Sequence, residues 1–246
     1  MLTVALALAF VIGILLGLLG GGGSILMVPV LLYVLRMEPK SALASTQVIL
    51  AATSAVAVVV HARASRVVFS VGTAFGIAGM AGAYLGGRTA RSVPTKLLLL
   101  GFTALMAISA VAMLRRRSAA ATERPPPSLV RGAAVGSATG FLAGLLGVGG
   151  GFLIVPALTE LGGLPMDRAI GTSLFVITLQ ASMGALGYLA HASVRWDVVP
   201  VLALVMALGS TAGGLLSKRI SVAALRRSFA ILILIVAVGM LARNIL

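Results

Sequence analysis

Two glycine-rich runs are the residues most suited to binding a ligand. Residues 20–23 are four consecutive glycines, and residues 147–151 contain four glycines and one valine. A proline follows each run, at Pro29 and Pro156. Glycine allows unusual backbone dihedrals and proline removes an N–H, so both runs are predicted to break a helix.

A broken helix leaves unpaired backbone N–H groups and the positive end of a half-helix dipole. Glycines let a ligand approach those groups closely, so the breaks predict an anion site without a buried cation. The alternative is that the glycines only allow close helix packing, as their regular spacing elsewhere indicates. The candidate amide donors are Gly21, Gly22, Gly23, Gly149, Gly150 and Gly151.

Hydroxyl side chains near the breaks are candidate hydrogen-bond donors to the same ligand. The alternative for the paired hydroxyls is helix capping or bonding within their own helix. Gln47 and Gln180 lie in apolar segments, where they could bridge helices or touch a solute. The candidate hydroxyls are Ser24, Ser45, Thr46, Thr172 and Ser173.

Enzymatic chemistry is not indicated. The chain has no cysteine, and Glu38, Asp167, His61 and His191 all fall at predicted segment ends. No nucleophile–base pair, metal cluster or P-loop can be assembled, so we predict no enzyme, no metal and no cofactor. The two histidines are interpreted as interfacial, with proton coupling as the alternative.

The elements that must position these residues are membrane helices. The composition is 60% hydrophobic and 10% charged, with a mean hydropathy of +1.15. Runs of about 20 apolar residues span a bilayer as helices, and backbone groups in lipid must be paired within the segment. The N-terminal segment lacks a cationic start and is read as a retained span. Apolar segments cover roughly 2–35, 42–61, 67–87, 94–114, 129–161, 169–190, 197–217 and 222–242.

The two halves of the chain resemble each other. Residues 17–29, GLLGGGGSILMVP, align without gaps on residues 144–156, GLLGVGGGFLIVP, with nine of thirteen positions identical at an offset of 127. An Arg- and Pro-rich stretch separates the halves. We therefore predict a membrane repeat at 1–114, a linker at 115–128 and a second membrane repeat at 129–246.

The first segment of each half, 2–35 and 129–161, is longer than one span requires. Each is either a hairpin or one kinked helix. Hairpins make the repeats inverted and, with the N-terminus outside, put 12 of the 19 Lys and Arg residues inside, whereas eight simple spans divide them 10 to 9. The positive-inside rule favours hairpins, inverted repeats and a cytoplasmic linker.

With these motifs, together with SALAST in the first half and RAIGTS in the second, the chain resembles the TauE/SafE family of sulfite exporters and toluene-sulfonate uptake permeases. The resemblance covers essentially the whole chain. It implies two four-segment halves and an anion transporter, expected to export, in a prokaryotic cytoplasmic membrane. The first copy has Ser24 and Gln47 where the second has Gly151 and Leu174, so the half-sites differ chemically.

The predicted function is therefore secondary transport of a small anion such as sulfite or an organosulfonate, by alternating access at the paired breaks. A passive anion channel and a non-transporting membrane scaffold or sensor are the alternatives. The predicted partners are the solute, the bilayer and a possible second copy. The net charge of +14 lies in loops, where it sets topology and contacts lipid headgroups, and it does not indicate nucleic-acid binding.

Overall fold

The chain folds into helices, as its apolar segments predict. The computed structural model describes residues 1–115, 129–160, 162–217 and 222–245, and every regular element within these ranges is helical. Of the predicted linker only Arg115 lies inside the described residues. Six described helices are long and apolar enough to cross a membrane, which confirms the all-helical, multi-pass fold: Leu2–Leu19, Pro39–Arg63, Phe69–Thr89, Thr95–Arg115, Met166–Leu189 and Val199–Leu216.

Each half, in its described residues, has four long helices with shorter helical elements between the first and the second of them. In the first half, a 3₁₀ helix (Gly22–Leu26) precedes the short α2, and a π-helical turn (Val30–Val34) follows it. The α-helices are α1 (Leu2–Leu19), α2 (Met27–Pro29), α3 (Pro39–Arg63), α4 (Phe69–Thr89), α5 (Thr95–Arg115), α6 (Leu129–Leu146), α7 (Gly151–Glu160), α8 (Met166–Leu189), α9 (Val199–Leu216) and α10 (Val222–Ile245).

The first helix of each half packs on a helix of the other half, α1 on α9 and α6 on α4. Glycines bring these backbones together. A Cβ added at Gly13 would lie 2.2 Å from the Met206 carbonyl oxygen, and one at Gly82 would lie 2.2 Å from that of Ser137. Small residues at fixed spacing are the usual means of close helix contact in membranes.

Helices α1, α3 and α9 run in the same direction. Gly13 faces Met206 and Gly17 faces Ser210, so α1 and α9 advance together. Thr53 bonds the Ala203 carbonyl and His61 lies against Gly214, so α3 and α9 also advance together. Because α1 and α3 are parallel, the chain must return across the molecule between them, through Gly22–Val34.

Helices α4, α6 and α8 also run in one direction, which is opposite to that of α1, α3 and α9. Gly82 and Gly86 of α4 face Ser137 and Phe141 of α6 in order, and α4 also runs parallel to α8, since Gly72 and Gly76 face Phe175 and Leu179. In contrast, α3 and α8 are antiparallel: Ser41 donates to the Ser193 carbonyl oxygen, whereas Ser54, further along α3, meets Thr178, earlier on α8. These directions support the hairpin interpretation and agree with inverted repeats. The duplication itself stays a prediction.

Polar and apolar side chains are distributed as expected for a protein in lipid. Large apolar side chains such as Ile77, Ile108 and Leu204 project outward from the spans, whereas Thr53, Gln47 and other hydroxyl and amide groups are buried between helices. Lipid solvates the outer side chains, and helix–helix hydrogen bonds pair the inner ones.

Candidate functional site at the paired glycine breaks

The two glycine runs interrupt the helices by taking up positive φ angles. Helix α1 ends at Leu19, and Gly20 and Gly21 follow with φ of 66° and 104°. Between α6 and α7, Gly147, Gly149 and Gly150 have φ of 67°, 69° and 69°. Side chains are strained in this left-handed region, so glycine is required for the chain to reverse there.

The two prolines lie beyond the breaks. The prediction that Pro156 breaks a helix is wrong, because α7 continues through it from Gly151 to Glu160. An interior proline removes one hydrogen bond, and α7 stays helical while packed on α8. Pro29 ends α2, and the wider π-helical turn starts at the next residue.

The two breaks touch each other inside the protein. A Cβ added at Gly21 would lie 2.6 Å from the Gly151 Cα, and one at Gly151 would lie 2.5 Å from the Gly21 Cα. The Ile177 side chain covers both positions, since its Cδ1 would lie 2.4 Å and 2.5 Å from those added atoms. Only glycine fits at this crossing, which brings together Gly21 and Gly151, one predicted amide residue from each half. The other four predicted amide residues have different neighbours: Gly22, Gly23, Gly149 and Gly150.

Two of the predicted hydroxyls brace the breaks. Ser24 Oγ lies 2.6 Å from the Gly21 carbonyl oxygen and 3.0 Å from that of Val148, so it shares its proton between the two breaks. Ser173 Oγ lies 2.6 Å from the Gly20 carbonyl oxygen and 2.8 Å from that of Ile170. Both hydroxyls are fully buried, and in this conformation they stabilise the backbone around a site.

Two other hydroxyls secure the loops beside α3 and α8. Thr172 Oγ1 accepts from the Val68 N–H at 2.9 Å, and Ser45 Oγ accepts from the Arg195 N–H at 3.3 Å. Both pairs are related by the offset of 127. These hydroxyls lie within α3 and α8 and cap neither helix, because α3 begins at Pro39 and α8 at Met166.

Thr46 differs from the other four hydroxyls. Its side chain is fully buried, and its Oγ1 has no hydrogen-bond partner among the described residues. It shares a face of α3 with Leu43 and Leu50, whose side chains contact Gly147 and Gly149. Thr46 is therefore a hydroxyl on the helix that packs against the second break.

The two glutamines complete the polar surroundings of the second break. Gln47 Nε2 donates to the Ala143 carbonyl oxygen at 3.1 Å, and Gln180 Nε2 donates to that of Gly136 at 3.4 Å. Gly184 and Gly79 provide the space that these side chains fill. Both bridge to α6, as one of the two sequence interpretations predicts. Their Oε1 atoms have no partner in the described part of the chain.

A cavity of about 200 Å³ adjoins the first break. It reaches Gly22, the one glycine of that run where an added Cβ would meet nothing closer than 3.5 Å. Its walls are mainly apolar and come from α1, α5, α7 and the start of α8: Leu19, Ile108, Ser109, Ala112, Met113, Leu153, Val155, Pro156 and Met166.

Three titratable residues lie in the connection between α8 and α9: His191, Arg195 and Asp197. Arg195 pairs with Asp197 at the surface and holds the pKa of that carboxyl below its usual range. Burial lowers the pKa of His191, and the positive charges of Lys40 and Arg91 lower it further. No group of three His, Cys, Asp or Glu residues that could hold a metal occurs within the described residues.

His61 lies in the last turn of α3, at the end of a span as the sequence predicts, and its side chain is buried between helices. Its ring lies beside Gly214 of α9. At the offset of 127, the same position in the second half is Tyr188, which lies beside Gly87 and donates to the Leu145 carbonyl oxygen at 2.6 Å. The two halves thus place different polar rings in corresponding helix contacts.

Together, the spans and the interrupted helices define a multi-pass helical membrane protein. The family model for the sulfite exporter TauE/SafE matches residues 5–240. The chain belongs to this family, which makes it a membrane transporter of the TauE/SafE type.

Relatives in other organisms agree. The chain is 34% identical to a probable membrane transporter protein of Xylella fastidiosa, over 99% of this chain and 96% of the relative. It is 24% identical to the probable membrane transporter protein YunE of Bacillus subtilis, over 87% and 89%. It is 26% identical to the probable membrane transporter protein MJ0441 of Methanocaldococcus jannaschii, over 77% and 73%. No solved structure gives a significant match.

Proposed function

We propose that this chain is a secondary transporter that exports a small anion, such as sulfite or an organosulfonate, across the cytoplasmic membrane by alternating access. The observation that carries the proposal is the contact between the two breaks at Gly21 and Gly151. Irregular backbone at membrane depth persists where it is enclosed by protein or lines a watery cavity, and transporters use it to hold substrates.

The polarity of the breaks favours an anion. Helix α7 starts at Gly151, directly after the second break, so its N-terminal amides and its positive dipole end face the crossing. The five acidic residues of the sequence all lie at segment ends or in connecting stretches. A cation would need acidic partners within the membrane, and the spans supply none in sequence.

The contact between the breaks also favours a carrier over an open channel. Two backbones closer than a Cβ allows leave no passage between them in this conformation. A solute can then cross only if the group of parallel helices α1, α3 and α9 moves relative to the group α4, α6 and α8, opening one side and closing the other. The antiparallel packing of α3 on α8 is the boundary between these two groups.

The test is uptake of radiolabelled sulfite into proteoliposomes that contain the purified chain. A carrier gives saturable uptake that accelerates when unlabelled sulfite is present on the opposite side. A passive channel gives uptake without that acceleration and a measurable conductance. A scaffold or sensor gives neither, and this outcome across sulfite and sulfonates would overturn the proposal.

A further inference from the structure

The two breaks differ in how their polar groups are used. At the first break, Ser173 donates to the Gly20 carbonyl oxygen and Ser24 to that of Gly21. At the offset of 127, the counterpart of Ser173 is Thr46 and that of Ser24 is Gly151. Thr46 has no partner among the described residues, and Gly151 has no hydroxyl. The two serines at the first break are therefore used in hydrogen bonds, whereas Thr46, on the helix that packs against the second break, has a hydroxyl with no partner among the described residues.

Two amide oxygens are also free at the second break. A carbonyl oxygen can only accept, so the bonds from Gln47 and Gln180 to the α6 carbonyls require the NH₂ group there and turn Oε1 away. Gln180 Oε1 would lie 3.2 Å from a Cβ at Gly150, directly before α7. The Gln47 side-chain amide donates to the Ala143 carbonyl oxygen, and the Ala143 Cβ would lie 2.9 Å from that added Cβ at Gly150.

Burial of these polar atoms without a hydrogen-bond partner costs free energy, and a bound ligand that pairs with them would remove that cost. Both glutamine side chains and Thr46 are fully buried. Buried polar atoms in native proteins are nearly always paired, so an unpaired one is a place where a bound water, ion or ligand can supply the partner. Thr46, Gln47 and Gln180 each have an unpaired polar atom among the described residues, whereas their counterparts at the offset of 127, Ser173, Leu174 and Thr53, have none, which indicates an unequal pair of half-sites.

The mixture of donors and acceptors restricts the ligand. The Leu153 and Ile154 amides already donate to the Gly150 carbonyl oxygen, so the amides at the very start of ten-residue α7 and the Thr46 hydroxyl are the available donors. They suit a negatively charged oxygen. The glutamine oxygens can only accept, and they would repel a second negative charge.

We propose that the second break, residues 147–151 with Thr46, Gln47 and Gln180, is the main binding site and selects a monoanion that carries its own O–H or N–H donor. Hydrogen sulfite and hydroxyl-bearing sulfonates have this chemistry. The inference rests on the proposed function. In the bound state the charged oxygens face the start of α7, and the donor group of the ligand bonds a glutamine oxygen.

A matched pair of inhibitors tests the selection. Ethanesulfonate and 2-hydroxyethanesulfonate have the same charge, and only the second has a donor. Against uptake of radiolabelled sulfite, the wild-type protein should be inhibited by 2-hydroxyethanesulfonate at a concentration about 10-fold lower, which corresponds to about 1.4 kcal/mol. In Gln180→Met the two compounds should inhibit alike, because the acceptor is gone.

Controls separate the selection from general damage. Gln47→Met provides a second variant if Gln180→Met does not insert. Thr103→Val on α5 also removes a buried polar group, one that bonds only its own helix at Leu99, and should keep the 10-fold difference.

Equal inhibition of the wild-type protein by the two sulfonates would overturn this inference and leave anion transport standing. Retention of the difference in both glutamine variants would overturn the assignment to the amide oxygens. Absence of protein-dependent sulfite and sulfonate uptake at all concentrations would overturn the proposed function and this inference with it.

Discussion

Replacement of Gly21 by alanine should damage the protein far more than replacement of Gly22 by alanine. At Gly21 the added Cβ meets the Gly151 Cα at 2.6 Å, so the breaks must separate by roughly 0.8 Å to restore ordinary contact. Overpacking of this kind costs about 1–3 kcal/mol. The φ of 104° adds about 1–2 kcal/mol of backbone strain for any L-residue. The loss in the free energy of unfolding should total about 2–5 kcal/mol.

Gly22 is the matched control, because its added Cβ would meet only the Leu19 and Phe229 side chains, at 3.5 Å. Gly22→Ala should change the free energy of unfolding by less than about 1 kcal/mol, because the added Cβ makes only ordinary van der Waals contacts. The assay is thermal unfolding of the purified variants in detergent, together with sulfite uptake after reconstitution. Equal melting temperatures and equal uptake for Gly21→Ala and Gly22→Ala would refute the close contact between the breaks.

Three further outcomes are expected. Ser173→Ala removes the hydroxyl that donates to the buried Gly20 carbonyl oxygen, so the free energy of unfolding in detergent should fall by about 1–3 kcal/mol. The exposed control Ser182→Ala should lower it by about 0.5 kcal/mol or less, and equal losses would contradict the bracing role of Ser173. Because the pKa of His191 lies below its ordinary value of about 6.5, the unfolded chain binds this proton more readily, so stability should fall as the pH drops below about 6.5 and level off beneath the folded-state pKa. In His191→Asn this part of the pH dependence of the melting temperature should vanish, and an unchanged profile would contradict it. A tag inserted within residues 116–128 should be accessible only from the cytoplasm, and extracellular labelling would overturn the orientation.

The sequence was sufficient to predict the class of fold and the position of the breaks. Long apolar runs form helices in lipid, because their backbone groups must be paired within the segment. The glycine runs at 20–23 and 147–151, in register at an offset of 127, predict a paired interruption of those helices. The structure brings Gly21 and Gly151 into contact, and it supports the return of the chain through Gly22–Val34.

The roles of individual polar groups could not be predicted from residue type. Ser173 and Thr46 are equivalent in sequence, yet one bonds the opposite half and the other has no partner among the described residues. That difference depends on which backbone carbonyl oxygens lie within reach of each hydroxyl, and residue type does not determine this. The packing of α1 on α9 could not be predicted either. The spacing of glycines within one helix shows which face can pack closely, but it does not show which other helix packs there.

His61 illustrates a second limit. Hydropathy places it at the end of an apolar segment, which is typical of an interfacial residue. Its burial follows from the glycine of another helix, Gly214, which allows α9 to approach. At the offset of 127, His61 aligns with Tyr188, so both halves have a ring side chain at this position. That agreement in the sequence indicates a side chain packed between helices.

The most direct test of the central claim, that the anion passes through the glycine breaks, is the initial rate of sulfite uptake by Gly150→Ala beside Gly239→Ala. At Gly150, where φ is 69°, an added Cβ would lie 2.9 Å from the Ala143 Cβ and 3.2 Å from Gln180 Oε1, directly before α7, whereas one at Gly239 on α10 meets nothing within 4 Å. We expect Gly239→Ala to transport like the wild-type protein and Gly150→Ala to lose most of its uptake while still inserting into the membrane. Equal, wild-type rates in both variants would contradict transport through the breaks.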